Sequence, residues 1–198
     1  MAVKRQRKTE EELLQEMRHR AKDVICGLVR ACRLTHPYPR KPSLLWLDRA
    51  FYLAELFYYN ADSCFLSCWP MIRGFHGPEI EDRLDLIEEL VEEGRLTVEY
   101  FDDGPFKCVQ LLAPRDTTGH PLSDLATDII RLTVAFMRER GDAEVARLIG
   151  EFARSWHEAE PGEELHMFLD VMPDDECRKE RERAKEISKQ LEEVFGRD

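Results

Sequence analysis

The chain has 198 residues, enough for one compact domain with a helical extension, and its 43% hydrophobic content supplies a sizeable core. Its formal net charge of -11 is uneven: residues 1–42 carry +6 and the remainder -17, so the body is repelled by phosphate backbones and only an N-terminal arm is basic. The most apolar run, Ala50 to Tyr59, is ten residues long and contains Glu55, which excludes a membrane span, and Met1 to Arg5 lacks the apolar core of a secretory signal.

A cytoplasmic protein with reduced cysteines is therefore expected. The basic arm is either an element complementary to the acidic body or a polar tail.

The first element opens at Thr9-Glu10-Glu11-Glu12, a capping box in which Thr9 and Glu12 satisfy each other's backbone donors. Leu14, Met17, Ala21, Val24, Leu28 and Val29 then form one apolar stripe, and the helix should end before His36-Pro37. Pro39 to Ser43 is a connector, with Ser43 as N-cap. A second helix is expected over Leu44 to Tyr59, with Asn60 as its stop. It is apolar nearly all round (Leu47, Phe51, Leu53, Phe57), which predicts the central helix of the core.

Cys64, Leu66 and Cys68 alternate with Phe65, Ser67 and Trp69, which suggests a short strand placed at an edge by Pro70. A third helix is expected from Pro78 to Glu93, after a His76-Gly77-Pro78 corner, with Ile80, Leu84, Ile87 and Val91 buried and Gly94 closing it. Arg95 to Phe101 and Phe106 to Leu112 read as strands joined through Asp102-Asp103-Gly104-Pro105. Ala113 to Pro121 reads as a linker. A fourth helix follows from about Ser123 to Arg140, stopped by Gly141, and a fifth begins at Asp142 and buries Val145, Leu148, Ile149 and Phe152. Beyond a break at Glu158 to Gly162 come a short apolar piece, Leu165 to Met172, and a final helix opened by Pro173-Asp174-Asp175 with an Ala184, Ile187, Leu191, Val194 stripe.

These elements predict a mainly helical α+β fold. Residues 1–42 form a basic N-terminal helix and connector. Residues 43–112 form a winged-helix-like core with a β-hairpin, and residues 113–198 a C-terminal helical region packed on it. The third helix would enter the major groove in a DNA-binding winged helix. Here it carries eight acidic residues (Glu79, Glu81, Asp82, Asp85, Glu88, Glu89, Glu92, Glu93) against Arg83 alone, so phosphates would repel it. Fold signal and charge signal disagree, which points to a module that binds protein.

No catalytic, metal-binding or cofactor-binding residues are assigned. Cys64, Cys68 and His76 match no common zinc spacing, and buried thiols behave as small hydrophobes. The chain has no Gly-rich phosphate loop, nucleophile elbow or HExxH motif. The paired carboxylates belong to solvated helix faces. An enzyme is not expected.

Trp69, Arg73, Phe75, His76 and Pro78 cluster around the start of the third helix. The candidate partner-binding residues are Trp69, Arg73, His76 and Pro78, with the neighbouring carboxylates Glu79 and Asp82. Tryptophan and arginine are enriched at interface hot spots. The competing reading is that the aromatics fill the core, Pro78 merely starts the helix, and the carboxylates are a solvated face.

Leu44 to Ala54, an aromatic-rich stretch from Phe65 to Phe75, and His76-Gly77-Pro78-Glu79-Ile80 together resemble the Panacea-domain family, which includes SocA-like antitoxins. Ser155-Trp156-His157-Glu158-Ala159 is a looser echo of that family's closing turn. The resemblance covers about residues 40 to 160. It implies a non-enzymatic protein that neutralises a partner toxin through a protein interface, without a cofactor or small-molecule substrate. The acidic body agrees independently with a basic partner steered by charge. The alternative is a winged-helix transcription regulator that contacts DNA through its basic N-terminal segment; specific nucleic-acid binding through the third helix is not expected.

Overall fold

The computed structural model describes residues 8–35, 42–103, 106–112 and 122–173. Among these the order is α1 (Glu10–Thr35), α2 (Leu44–Asp62), β1 (Met71–Arg73), β2 (Pro78–Ile80), α3 (Arg83–Glu92), β3 (Thr97–Asp103), β4 (Phe106–Leu112), α4 (Asp124–Arg140), α5 (Asp142–Phe152), α6 (Arg154–Glu158) and α7 (Phe168–Val171). The fold is mainly helical α+β. The basic arm over residues 1–7, the linker at 113–121 and the final helix expected after Pro173 lie outside the described residues, as do Gly104 and Pro105. None of the described helices is long and apolar enough to cross a membrane.

The capping box at Thr9 forms as expected. Thr9 N donates to Glu12 Oε2 at 2.8 Å and Glu12 N to Thr9 Oγ1 at 3.2 Å. The apolar stripe of α1 begins later than its pattern suggests. Ala21, Val24, Leu28 and Val29 are buried, but Leu14 is half exposed, because the first turns of α1 overhang the core.

Helix α2 is the centre of the molecule, and every residue from Leu47 to Glu55 is buried. It packs against α1, α4, α5, α7 and β2. Ser43 caps it, accepting from Trp46 N at 3.1 Å. It runs on past Asn60 to Asp62 and stops at Ser63 in the left-handed region (φ 58°).

No strand forms over Cys64 to Cys68. The Glu55 carboxylate accepts the Ser67 amide at 3.0 Å and also the Ser67 hydroxyl, so this backbone bonds to a buried side chain instead of a ladder. The strand is β1, paired antiparallel with β2 in the register Met71↔Ile80, Ile72↔Glu79, Arg73↔Pro78. Residues 162–165 run along the other edge of β1. Gly162 N donates to Arg73 O (2.8 Å), Arg73 N to Glu163 O (2.8 Å) and Leu165 N to Met71 O (2.7 Å). The β1 edge is thereby covered.

Pro78 opens a strand and not the third helix. The Ile80 amide is taken by the buried Asp48 carboxylate at 3.2 Å, and Asp82 adopts φ 49° before α3 begins at Arg83. This shorter helix presents a different face. Leu86, Ile87 and Leu90 are buried, whereas Leu84 (63% exposed) and Val91 (40%) point outward, contrary to the expected Leu84/Val91 face. Gly94, at φ +68°, turns the chain so that the Arg95 and Leu96 amides both reach Leu90 O. The β3–β4 hairpin follows as expected, from Thr97↔Leu112 to Asp103↔Phe106.

Ser123 caps α4 by accepting from Ala126 N at 3.2 Å, and Gly141 separates α4 from α5 at φ +78°. Helix α5 buries Val145 and Ile149 as expected. Leu148 is only half-buried and Phe152 is 72% exposed, because no described element covers that side of the helix.

Candidate functional site

Three residues of charged type, Asp48, Arg49 and Glu55, are buried in the mainly apolar α2, and each fixes a different segment. Asp48, fully buried, holds the Ile80 amide and pairs with Arg83, joining β2 to the start of α3. Burial pushes its carboxyl up to about 7 against the opposing pull of the Arg83 guanidinium. Glu55 holds the Ser67 turn, and burial likewise raises it to about 7, with the Ser67 hydroxyl and amide acting against that shift. Arg49 donates from Nη1 to Asp142 Oδ2 at 2.5 Å and from Nη2 to His76 O at 3.0 Å. It thus clamps the Gly74–Gly77 corner of the β1–β2 hairpin to the start of α5.

That corner carries the most exposed large apolar side chain among the described residues, Phe75. Gly74 N closes it onto Gly77 O at 3.1 Å, and Gly77 adopts φ +137°, a conformation that side chains disfavour. Phe75 projects from it 90% exposed, its ring edge-on to His76 at 4.8 Å. Beneath lies a cleft of about 220 Å³ between the corner (Arg49, His76, Pro78) and α5–α6 (Ala146, Ile149, Trp156). Arg73 stacks on Trp156, 4.9 Å from the ring centroid, and donates to Ala159 O. An exposed aromatic beside a cleft walled by an aromatic ring, a buried guanidinium and aliphatic carbons suits a partner side chain.

The sequence-derived rim is only partly brought together. His76 and Pro78 line the cleft, Arg73 sits behind it on Trp156, and Glu79 lies across the hairpin with its side chain against Gly74. Asp82 is exposed at the start of α3, away from the cleft lining. Trp69 is not on the rim. It is 3% exposed, its Nε1 donates to Glu81 O at 2.8 Å, and Arg18 covers its ring, so it is part of the core. Arg49 was missed by sequence reasoning, although a charge within an apolar helix was its signal. Trp156 was marked only by family resemblance. Phe75 was seen in the aromatic cluster but not assigned to the rim.

The acidic face of α3 is divided. Glu89 bonds Arg18 (2.6 Å) and Lys22 (3.0 Å), and Glu93 bonds Lys22 (2.5 Å), so these two carboxylates tie α3 to α1. Hydrogen bonding to Arg18 holds the Glu89 carboxyl below its ordinary value. Asp85, Glu88 and Glu92 remain exposed.

Elsewhere, Asp170 accepts from Tyr52 (2.7 Å) and from the Ser155 hydroxyl (2.5 Å), which ties α7 to α2 and α6. Cys64 and Cys68 are exposed free thiols in the turn after α2. Among the described residues no three His, Cys, Asp or Glu side chains converge in a way that could hold a metal ion. Comparison of the chain with protein-family models, with curated proteins and with solved structures finds no match.

Proposed function

We propose that this chain is a non-enzymatic protein-binding module that grips its partner at the β1–β2 corner. The observation that carries the reading is Phe75, an aromatic side chain left 90% exposed on a backbone held from below by Arg49. Exposed aromatics on rigid supports lose little entropy when they bind. The adjacent cleft offers a seat for a partner side chain, and the exposed carboxylates of α3 favour a basic partner.

An antitoxin-like role, neutralising a partner toxin in the cytoplasm, belongs to this proposal through the resemblance to Panacea-domain proteins. So does a winged-helix-like reading of residues 43–112, supported by the succession of α2, α3 and the β3–β4 hairpin. The DNA-regulator alternative is weaker. Arg18 and Lys22, two of the basic groups of the N-terminal region, are engaged by Glu89 and Glu93.

The test is affinity capture from the source cells with the tagged full-length chain, followed by mass spectrometry, against the Phe75→Asp variant. A partner held by the wild type and lost with Phe75→Asp, at an unchanged melting temperature, is the expected result. The same capture by both proteins would remove the corner as the binding surface.

A further inference from the structure

A second recess lies next to the corner cleft along α5, with Ile149 lining both. It has a volume of about 220 Å³ and is walled by Leu53 and Leu56 of α2, Phe136 of α4, and Leu148 and Phe152 of α5, with Asp170 of α7 at its rim. Its walls reach the surface. Phe152 is 72% exposed, and on α4 the apolar surface continues from Phe136 one turn back to Leu132, 54% exposed. Helices α2, α4 and α5 thus form three sides of an apolar seat.

The position of the chain beyond α7 points to what fills it. Asp170 is anchored by Tyr52 and Ser155 at the rim, and the described chain reaches Pro173 three residues later. Residues 174–198 follow, outside the described residues. At helical spacing Ala184, Ile187, Leu191, Val194 and Phe195 share one face, while Lys185, Glu186, Lys189 and Glu193 fall on the other. Residues 174–183 would serve as the connector. At roughly 3.3 Å per extended residue it reaches about 30 Å, more than enough to bring the stripe back over the groove. A tethered segment acts at an effective concentration of about millimolar, which a separate partner would have to exceed.

We propose that residues 184–195 dock as an amphipathic helix in this groove, with Ile187 and Leu191 entering the recess against Phe152, Leu148 and Phe136. The helix-in-groove mode calls for apolar anchors spaced three, four and seven residues apart, which this stripe has. The proposal is independent of the function assigned to the corner.

The test uses the full-length chain with the photoreactive benzoylphenylalanine in place of Phe152, an aromatic substitution on an exposed rim. Irradiated at low concentration and mapped by mass spectrometry, it is expected to cross-link within one chain to peptides containing 184–195. Ile187→Asp with Leu191→Asp should abolish that product and speed hydrogen exchange over residues 145–153. A cross-link between two chains that grows with concentration would assign the groove to a second copy and overturn the proposal. So would the absence of any cross-link to 184–195. The cross-link without charge substitutions decides the matter even if the doubly substituted chain does not fold.

Discussion

Glu55 is fully buried, and burial raises its carboxyl from an ordinary 4.5 to about 7, outweighing the help of the Ser67 donors. An acid whose folded pKa is raised binds its proton more tightly in the native state. Its contribution to stability is fully present below about pH 4.5 and is lost as pH rises through about 7. Asp48 shifts in the same direction, from 3.8 to about 7, and adds to the slope. Glu89 and Glu93, lowered by Arg18 and Lys22, contribute oppositely, but their change falls in more acid solution. The melting temperature of the wild type should therefore decline between about pH 5 and pH 8, and Glu55→Gln should flatten part of that decline. Thermal melts of both proteins across this range check it, and equal slopes would show that Glu55 does not titrate there.

Element boundaries divide into those settled by neighbours in sequence and those settled across space. Thr9, Ser43 and Ser123 cap the helices they precede because a hydroxyl reaches the amide three residues on, a local event legible in the chain. The β3–β4 hairpin was legible for the same reason. Pro78 was not, because proline suits both a first helical position and the first residue of a strand. What decides it is the Asp48 carboxylate, thirty-two residues from the Ile80 amide it holds. That choice shortens α3 and turns its apolar face, and the consequence is measurable. Leu90→Ala should destabilise the protein by about 2–5 kcal/mol through the cavity it leaves. Leu84→Ala, at a 63% exposed position, should change stability by no more than about 0.5 kcal/mol. Denaturant unfolding of the two variants distinguishes this α3 from one starting at Pro78, which would reverse the order.

At the scale of the whole molecule, charge is arranged to face outward from α3 and to be satisfied where α3 meets α1. The exposed Asp85, Glu88 and Glu92 would set like charge against the phosphates of a duplex approaching this helix. Titration of labelled duplex DNA at low salt should give no binding that depends on Arg83, whereas loss of binding on deleting residues 1–8 would favour the regulator alternative. The candidate site is harder to read than the charge, because it is assembled from distant pieces. Sequence places Arg73, His76 and Pro78 side by side, but the wall opposite them comes from α5 and Trp156, and the clamp beneath from Arg49. Trp69 misled because a tryptophan beside a turn serves equally as an anchor for a partner or as core filling, and only its burial separates the two.

The covered edge of β1 has a consequence for the order in which the protein is made. Arg73 finds its backbone partners at Gly162 and Glu163, and its guanidinium rests on Trp156, all more than eighty residues downstream. A nascent chain emerging from the ribosome can form α1, α2 and the hairpin while the strands that will carry Phe75 still lack their neighbour. Until residue 165 has been released, the corner has neither its cleft nor its second edge. Translation that stalls in the α4–α5 region would leave this surface unfinished, its second edge still to be made.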